Sequence, residues 1–179
     1  EGTNFLMQSG VRTDMAVQPE PTGVGNIATV HAGIVHMAIH TYGVTGHISV
    51  QEKTVNAVAK MSKVIDALQR VEFTYTPRED LPAMPRLNVG SIIGGRGESY
   101  ILIEPPYIPD YCTILVDVHF VPGQTVDTIV QDIRRTIDPL AARDPQLRYE
   151  IEIPPPDYFK GRRRLVMAPL DVPKDEYIV

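Results

Sequence analysis

Gly43-Val44-Thr45-Gly46-His47-Ile48-Ser49, running on to Asn56-Ala57, decides how the rest of the chain is read. The stretch predicts the end of a strand, a glycine-hinged turn, one exposed histidine and the start of a long helix. Glycines at 43 and 46 are expected to take positive φ and so hold the imidazole clear of a sheet.

Immediately upstream, Ile34 to Tyr42 alternates as a strand does. Val35, Met37, Ile39 and Thr41 fall on one face, and His36, Ala38 and His40 on the other. His36 and His40 also stand at i and i+4, the spacing of a helical zinc pair. A zincin places Glu directly after the first His, however, and Met37 occupies that position. β-branched content and the flanking glycines favour the strand. Downstream, Glu52 to Glu72 predicts a helix, with Val55, Val58, Met61, Ile65 and Leu68 forming its apolar stripe. A proline-rich loop follows over 74–86, then a strand from Arg86 to Ile93 closed by Gly94-Gly95. Arg96 to Asp110 reads as irregular. Tyr111 to Val121 is the clearest strand, with Cys112, Ile114, Val116, Val118 and Phe120 pointing one way and Thr113, Leu115, Asp117 and His119 the other. Thr125 caps a second predicted helix, and Leu147 to Ile153 forms a strand with one solvent face.

The order strand, helix, strand, strand, helix, strand predicts an α+β fold. Its form is a four-stranded antiparallel sheet with two helices on one face, the βαββαβ ferredoxin-like arrangement. The exposed edge of such a sheet predicts a dimer. Residues 1–32 read as a flank from a neighbouring domain, in which Thr13 to Val17 forms a short strand before Pro19 and Pro21. Residues 33–154 read as the central domain, and 155–179 as a linker and the start of a second half of the neighbouring domain. Arg162-Arg163-Arg164 reads as a solvated basic run.

A chain of 179 residues buries a core without disulfides, and its single cysteine fits a reducing cytoplasm. No apolar run is long enough to span a bilayer, so no membrane role is expected. A net charge of -5 argues against a nucleic-acid partner.

Four groups of residues, in order along the chain, resemble one family. They are Asp14 with Glu20-Pro21-Thr22; Gly43 through His47-Ile48-Ser49 to Asn56-Ala57; Asn88-Val89-Gly90 with Gly94-Gly95; and Pro109-Asp110-Tyr111-Cys112 with Asp117-Val118-His119 and Pro122-Gly123. They are similar to motifs in the lid, or dimerisation, domain of dizinc metallopeptidases and amidohydrolases. That family includes acetylornithine deacetylase, succinyl-diaminopimelate desuccinylase, glutamate carboxypeptidase and aminoacylase. The resemblance implies a homodimer and a parent that uses two zinc ions to cleave an acylated amino acid or a peptide. It implies Glu20 as one zinc ligand. It also implies His47 as a residue that crosses the dimer to stabilise the oxyanion in the partner's active site.

Two positions depart from the family pattern. The family has Asn shortly after Gly-Gly, and Arg two residues after the strand aspartate. Here the first region is lengthened and has no Asn, with Arg96 as a substitute candidate for substrate contact, and the second position is His119. An imidazole does not reproduce a guanidinium's bidentate grip. The family's remaining zinc ligands, a His-x-Asp segment, a Glu-Glu pair and a late His, are not recognisable in this sequence. The chain therefore reads as an excised lid that dimerises, carries no zinc and hydrolyses nothing alone. The alternative is a free-standing regulatory domain of ferredoxin-like fold that binds a small molecule.

Overall fold

The computed structural model describes residues 2–17, 25, 27–155 and 166–176. The chain forms two compact units, one of residues 1–29 with 171–179 and one of residues 30–170. In the first, α1 spans Gly2–Gln8. No strand forms over Thr13 to Val17. The Thr13 hydroxyl bonds the Met15 carbonyl and accepts from the Met15 amide, a local turn that competes with extended pairing.

The larger unit is mixed α/β with antiparallel pairing. Val30–His31 is β1, Gly33–Tyr42 is β2, Ala57–Leu68 is α2, Arg86–Gly95 is β3 and Tyr111–Phe120 is β4. Val126–Arg143 is α3, Arg148–Glu152 is β5, Val166–Met167 is β6 and Leu170–Asp171 is β7. The main sheet has the order β3-β4-β2-β5. It counts five strands rather than the expected four, because β6 pairs with β2 at Ile34 and Val35, beyond the end of β5.

One face of the sheet carries the core. Val35, Met37 and Ile39 of β2, and Cys112, Ile114, Val116, Val118 and Phe120 of β4, are buried. They cluster with Met61, Val64 and Leu68 of α2 and Ile129, Ile133 and Ile137 of α3. The alternation in the sequence thus reports which side faces the helices. Each fully buried Ile, Leu or Met contributes about 1.5–3 kcal/mol.

The first helix is shorter than its apolar periodicity suggests. Ile48–Lys53 is a 3-10 helix, and Thr54 and Asn56 are extended. Val55 is pulled out of helical geometry by an antiparallel bridge to Val44, with hydrogen bonds of 2.9 and 3.0 Å. Asn56 then caps α2 by accepting from the Ala59 amide at 3.0 Å. The helix stops at Leu68, and the chain beyond it seats Phe73 against the core.

Just past Phe73, the Thr74 amide donates to the buried Asp132 carboxylate at 2.6 Å, and the Thr74 hydroxyl lies 3.2 Å from it. Arg135 completes the group. Asp132→Ala leaves the Thr74 amide without its acceptor. It is expected to cost about 2 kcal/mol in urea unfolding, whereas a loss under about 0.5 kcal/mol contradicts the assignment.

Asp144 caps the end of α3 and ties it to α2 by accepting from Lys60 at 2.7 Å and Lys63 at 2.9 Å. These bonds, Lys60 first, hold its carboxyl down at about 2, against an ordinary 3.8. A carboxyl depressed by folding contributes stability above its unfolded pKa, and that contribution is lost as pH falls through the folded value. Wild type is therefore expected to melt above Asp144→Asn at pH values over about 4 and to converge with it near pH 2. A constant gap across that window contradicts the ion pair's role.

Candidate functional site

Beyond Tyr42 the chain leaves the sheet in a turn held by its own backbone. The Gly43 amide donates to the Asp110 carbonyl at 2.8 Å before the Val44–Val55 bridge forms. Neither glycine of this turn takes positive φ, contrary to expectation; among the described residues Gly10, Gly25, Gly97 and Gly123 do. What the turn requires is space. A Cβ on Gly43 lies 2.1 Å from the Val55 carbonyl oxygen, and one on Gly46 lies 2.6 Å from Thr54 Cγ2.

His47 follows as the N-cap of the 3-10 helix, with extended backbone at φ -74 and ψ 146. It is exposed, and its segment is gripped on both sides. The Ile108 amide donates to the Gly46 carbonyl at 2.9 Å, and the Ile48 amide donates to Pro106 at 2.7 Å. The Tyr107 ring meets the imidazole edge to face, at 5.5 Å and 85°. Nδ1 faces Ser49, whose amide lies at 3.1 Å and whose hydroxyl at 2.8 Å. Among the described residues Nε2 has no hydrogen-bond partner.

Arg96 lies near this turn. It leaves β3, bridges Ile101, and with Thr45, Gly46 and Tyr107 lines an open groove of about 670 Å³. Its side chain is exposed and makes no ion pair among the described residues. His119 lies elsewhere. It sits opposite Ile34 and Arg86, at the far end of β4 from Tyr111, which pairs with Tyr42 and Gly95. Eight residues of strand separate the two ends by roughly 27 Å. His119 Nε2 stands 3.2 Å from Asp117, whose other oxygen is buried and lies 3.5 Å from His36 Nε2. The structure therefore brings Arg96 to the His47 turn and leaves His119 apart.

A polar cluster on the sheet's open face escaped the sequence reading. His40 is 2% exposed, with Nε2 3.1 Å from the Glu152 carboxylate and Nδ1 2.7 Å from the Thr113 hydroxyl. A carboxylate only accepts, so Nε2 carries a proton toward Glu152. The Tyr100 hydroxyl reaches the same Thr113 at 2.7 Å and anchors the segment after Arg96 to the sheet. Beside it, burial and then the Glu150 carboxylate push the Tyr42 phenol well up. Burial likewise pushes the Cys112 thiol up to about 11, which marks it as a core residue.

Glu20 and Arg162-Arg163-Arg164 lie outside the described residues. Among the described residues no group of three or more His, Cys, Asp or Glu is placed to hold a metal. A catalytic zinc takes about three protein ligands, so the described residues do not fit one. No helix among them is long and apolar enough to cross a membrane.

A mixed α/β domain with a sheet ending in an edge strand has the form of an association module. The chain belongs to the peptidase dimerisation domain family, whose model matches residues 29–145. It is 30% identical to acetylornithine deacetylase from Proteus mirabilis, over 79% of this chain and 35% of that enzyme. It is 25% identical to N-formyl-4-amino-5-aminomethyl-2-methylpyrimidine deformylase from Halalkalibacterium halodurans, over 92% of this chain and 39% of the relative. In structure it is similar to aminopeptidase PepT from Bacillus cereus, with a TM-score of 0.56 and 16% identity over 87% of this chain and 35% of that one. That last likeness is one of fold alone. The chain thus spans between a third and two fifths of the length of these relatives. The lid resemblance carried by the four sequence motifs holds.

Proposed function

We propose that this chain is the dimerisation and substrate-covering lid of a zinc-dependent hydrolase that cleaves an amide in an N-acyl amino acid or a peptide. His47 is supplied across a homodimer as a hydrogen-bond donor to the developing oxyanion. The observation that carries this reading is the state of the His47 ring. It is clamped by Ser49 and Tyr107, yet it is exposed, and among the described residues its Nε2 has no hydrogen-bond partner. A donor held rigid in advance needs no reorganisation when charge develops in front of it.

The sheet supports the dimer. β3 lies at the end of the strand order, and Ile92 beside that edge is 54% exposed. An apolar edge strand is a template for pairing with a second copy. The strand order also agrees with a ferredoxin-like βαββαβ frame, to which β6 is an addition. Arg96 and His119 are the proposed substrate contacts, supplied by different subunits because the fold holds them apart within one, and Glu20 is the proposed single zinc ligand. In the full-length parent, two zinc ions would supply Lewis-acid catalysis and an activated water, held by residues beyond the described ones together with Glu20. The lone buried thiol fits a cytoplasmic compartment.

Sedimentation of this chain tests the lid reading. A dimer that hydrolyses no acylated amino acid supports it. A monomer at every concentration reached, or turnover that a chelator abolishes, contradicts it.

A further inference from the structure

The two contacts on His47 Nδ1 fix more than the ring's position. Nδ1 has one in-plane lone pair when bare and one proton when not. The Ser49 amide is an obligatory donor, and it points at Nδ1 from 3.1 Å. A proton on Nδ1 would set two N–H groups against each other and remove the cap from the 3-10 helix. Nδ1 is therefore the acceptor, its one lone pair shared between the Ser49 amide and the Ser49 hydroxyl, which donates from 2.8 Å. In the neutral ring the proton then has one place left, on Nε2, the nitrogen that faces outward.

We infer that Ser49 is a positioning residue that locks His47 in its Nε2–H tautomer, so that the turn presents a hydrogen-bond donor before any partner or substrate arrives. The inference deepens the reading of His47 as an oxyanion donor and rests on it for its purpose, though not for its chemistry. A free neutral imidazole distributes its proton between both nitrogens, and only one of the two forms can donate outward from this turn. Tyr107 has a separate task. Its ring meets the face and edge of the imidazole and limits rotation, but it offers Nδ1 no proton. The local sequence carries the device in three residues, since the histidine that caps the 3-10 helix is served by the serine two positions on.

Nitrogen NMR of the imidazoles tests this directly on the chain itself, at a pH above the histidine range, where the rings are neutral. His47→Gln identifies which of the five histidine signals belongs to His47. The expected wild-type pattern is a bare Nδ1 and a protonated Nε2. Ser49→Ala keeps the backbone amide but loses the hydroxyl. It is expected to lower the Nε2–H to Nδ1–H ratio about fivefold, the equivalent of one side-chain hydrogen bond. Ser49→Thr restores the ratio, and Tyr107→Leu leaves it unchanged. A wild-type ring protonated on Nδ1 overturns the inference. So does a Ser49→Ala spectrum identical to wild type, or a Tyr107→Leu change as large as that of Ser49→Ala. The outcome is separable from the functional reading: a locked tautomer together with full turnover of a His47→Ala enzyme would leave the lock standing and remove the oxyanion role.

Discussion

His47→Ala in the full-length enzyme is expected to lower turnover of an N-acyl amino acid by about 10²–10³, the usual cost of one oxyanion donor. The dimer is expected to survive, because the exposed His47 ring contacts its own Ser49 and Tyr107 and lies outside the core cluster. The loss should fall on kcat, with KM little changed, since the proposed hydrogen bond strengthens only as charge develops. His47→Ala also removes the acceptor for the Ser49 amide, so a small local loosening of residues 48–53 is expected beside the kinetic effect. Steady-state kinetics with sedimentation separate the two. A dimer with near-normal turnover, or a collapse to monomer, contradicts the account.

Gly43→Ala is the second large effect, and it acts through space. The new methyl group would stand 2.1 Å from the Val55 carbonyl oxygen and 3.0 Å from the Ala57 amide, both backbone atoms. Backbone cannot rotate aside as a flexible side chain does, so the Val44–Val55 bridge must open or the turn must move. The expected cost is about 3 kcal/mol, at the upper end of overpacking effects. The turn also sets where His47 projects, so the parent enzyme should lose activity at temperatures where it is still folded. Chemical unfolding and activity, measured on the same preparation, check this. A stability unchanged within about 0.5 kcal/mol would show that the close approach at Gly43 does not exist.

β2 and β4 were legible because apolar core residues recur at every second position, Val35, Met37 and Ile39 in one and Cys112 through Phe120 in the other. α3 was legible through Ile129, Ile133 and Ile137. The beginning of α2 was not, because Val55 suits a helical stripe and a β-bridge equally well. Its partner Val44 lies across a turn whose geometry the sequence does not display. Asp132 reads as a solvated charge on the helix's polar side. Its burial depends on where Thr74 arrives, a contact fifty-eight residues distant in sequence. The His40 cluster needs the register of β2 on β4, which sets His40 opposite Thr113.

The exposed place of His47 on a turn was legible through its glycine flanks, although those glycines serve close approach and not positive φ. The Ser49 grip had a local signal, a serine two residues after a turn histidine, and it went unused. Arg96 joins the groove through a bridge to Ile101 that no periodicity announces. His119 stands apart, since residues near the two ends of one strand cannot meet on a small substrate within one subunit.

The central claim is that His47 serves the partner subunit, and mixed dimers of the full-length enzyme test it most directly. One subunit carries His47→Ala and the other Glu20→Ala, each strongly impaired as its own homodimer. If His47 acts across the dimer, the mixed dimer holds one complete site, made from the zinc ligands of the first subunit and the histidine of the second. The account predicts that co-expression restores turnover, at one working site per mixed dimer. Mixed dimers that form and remain as impaired as either parent would contradict it.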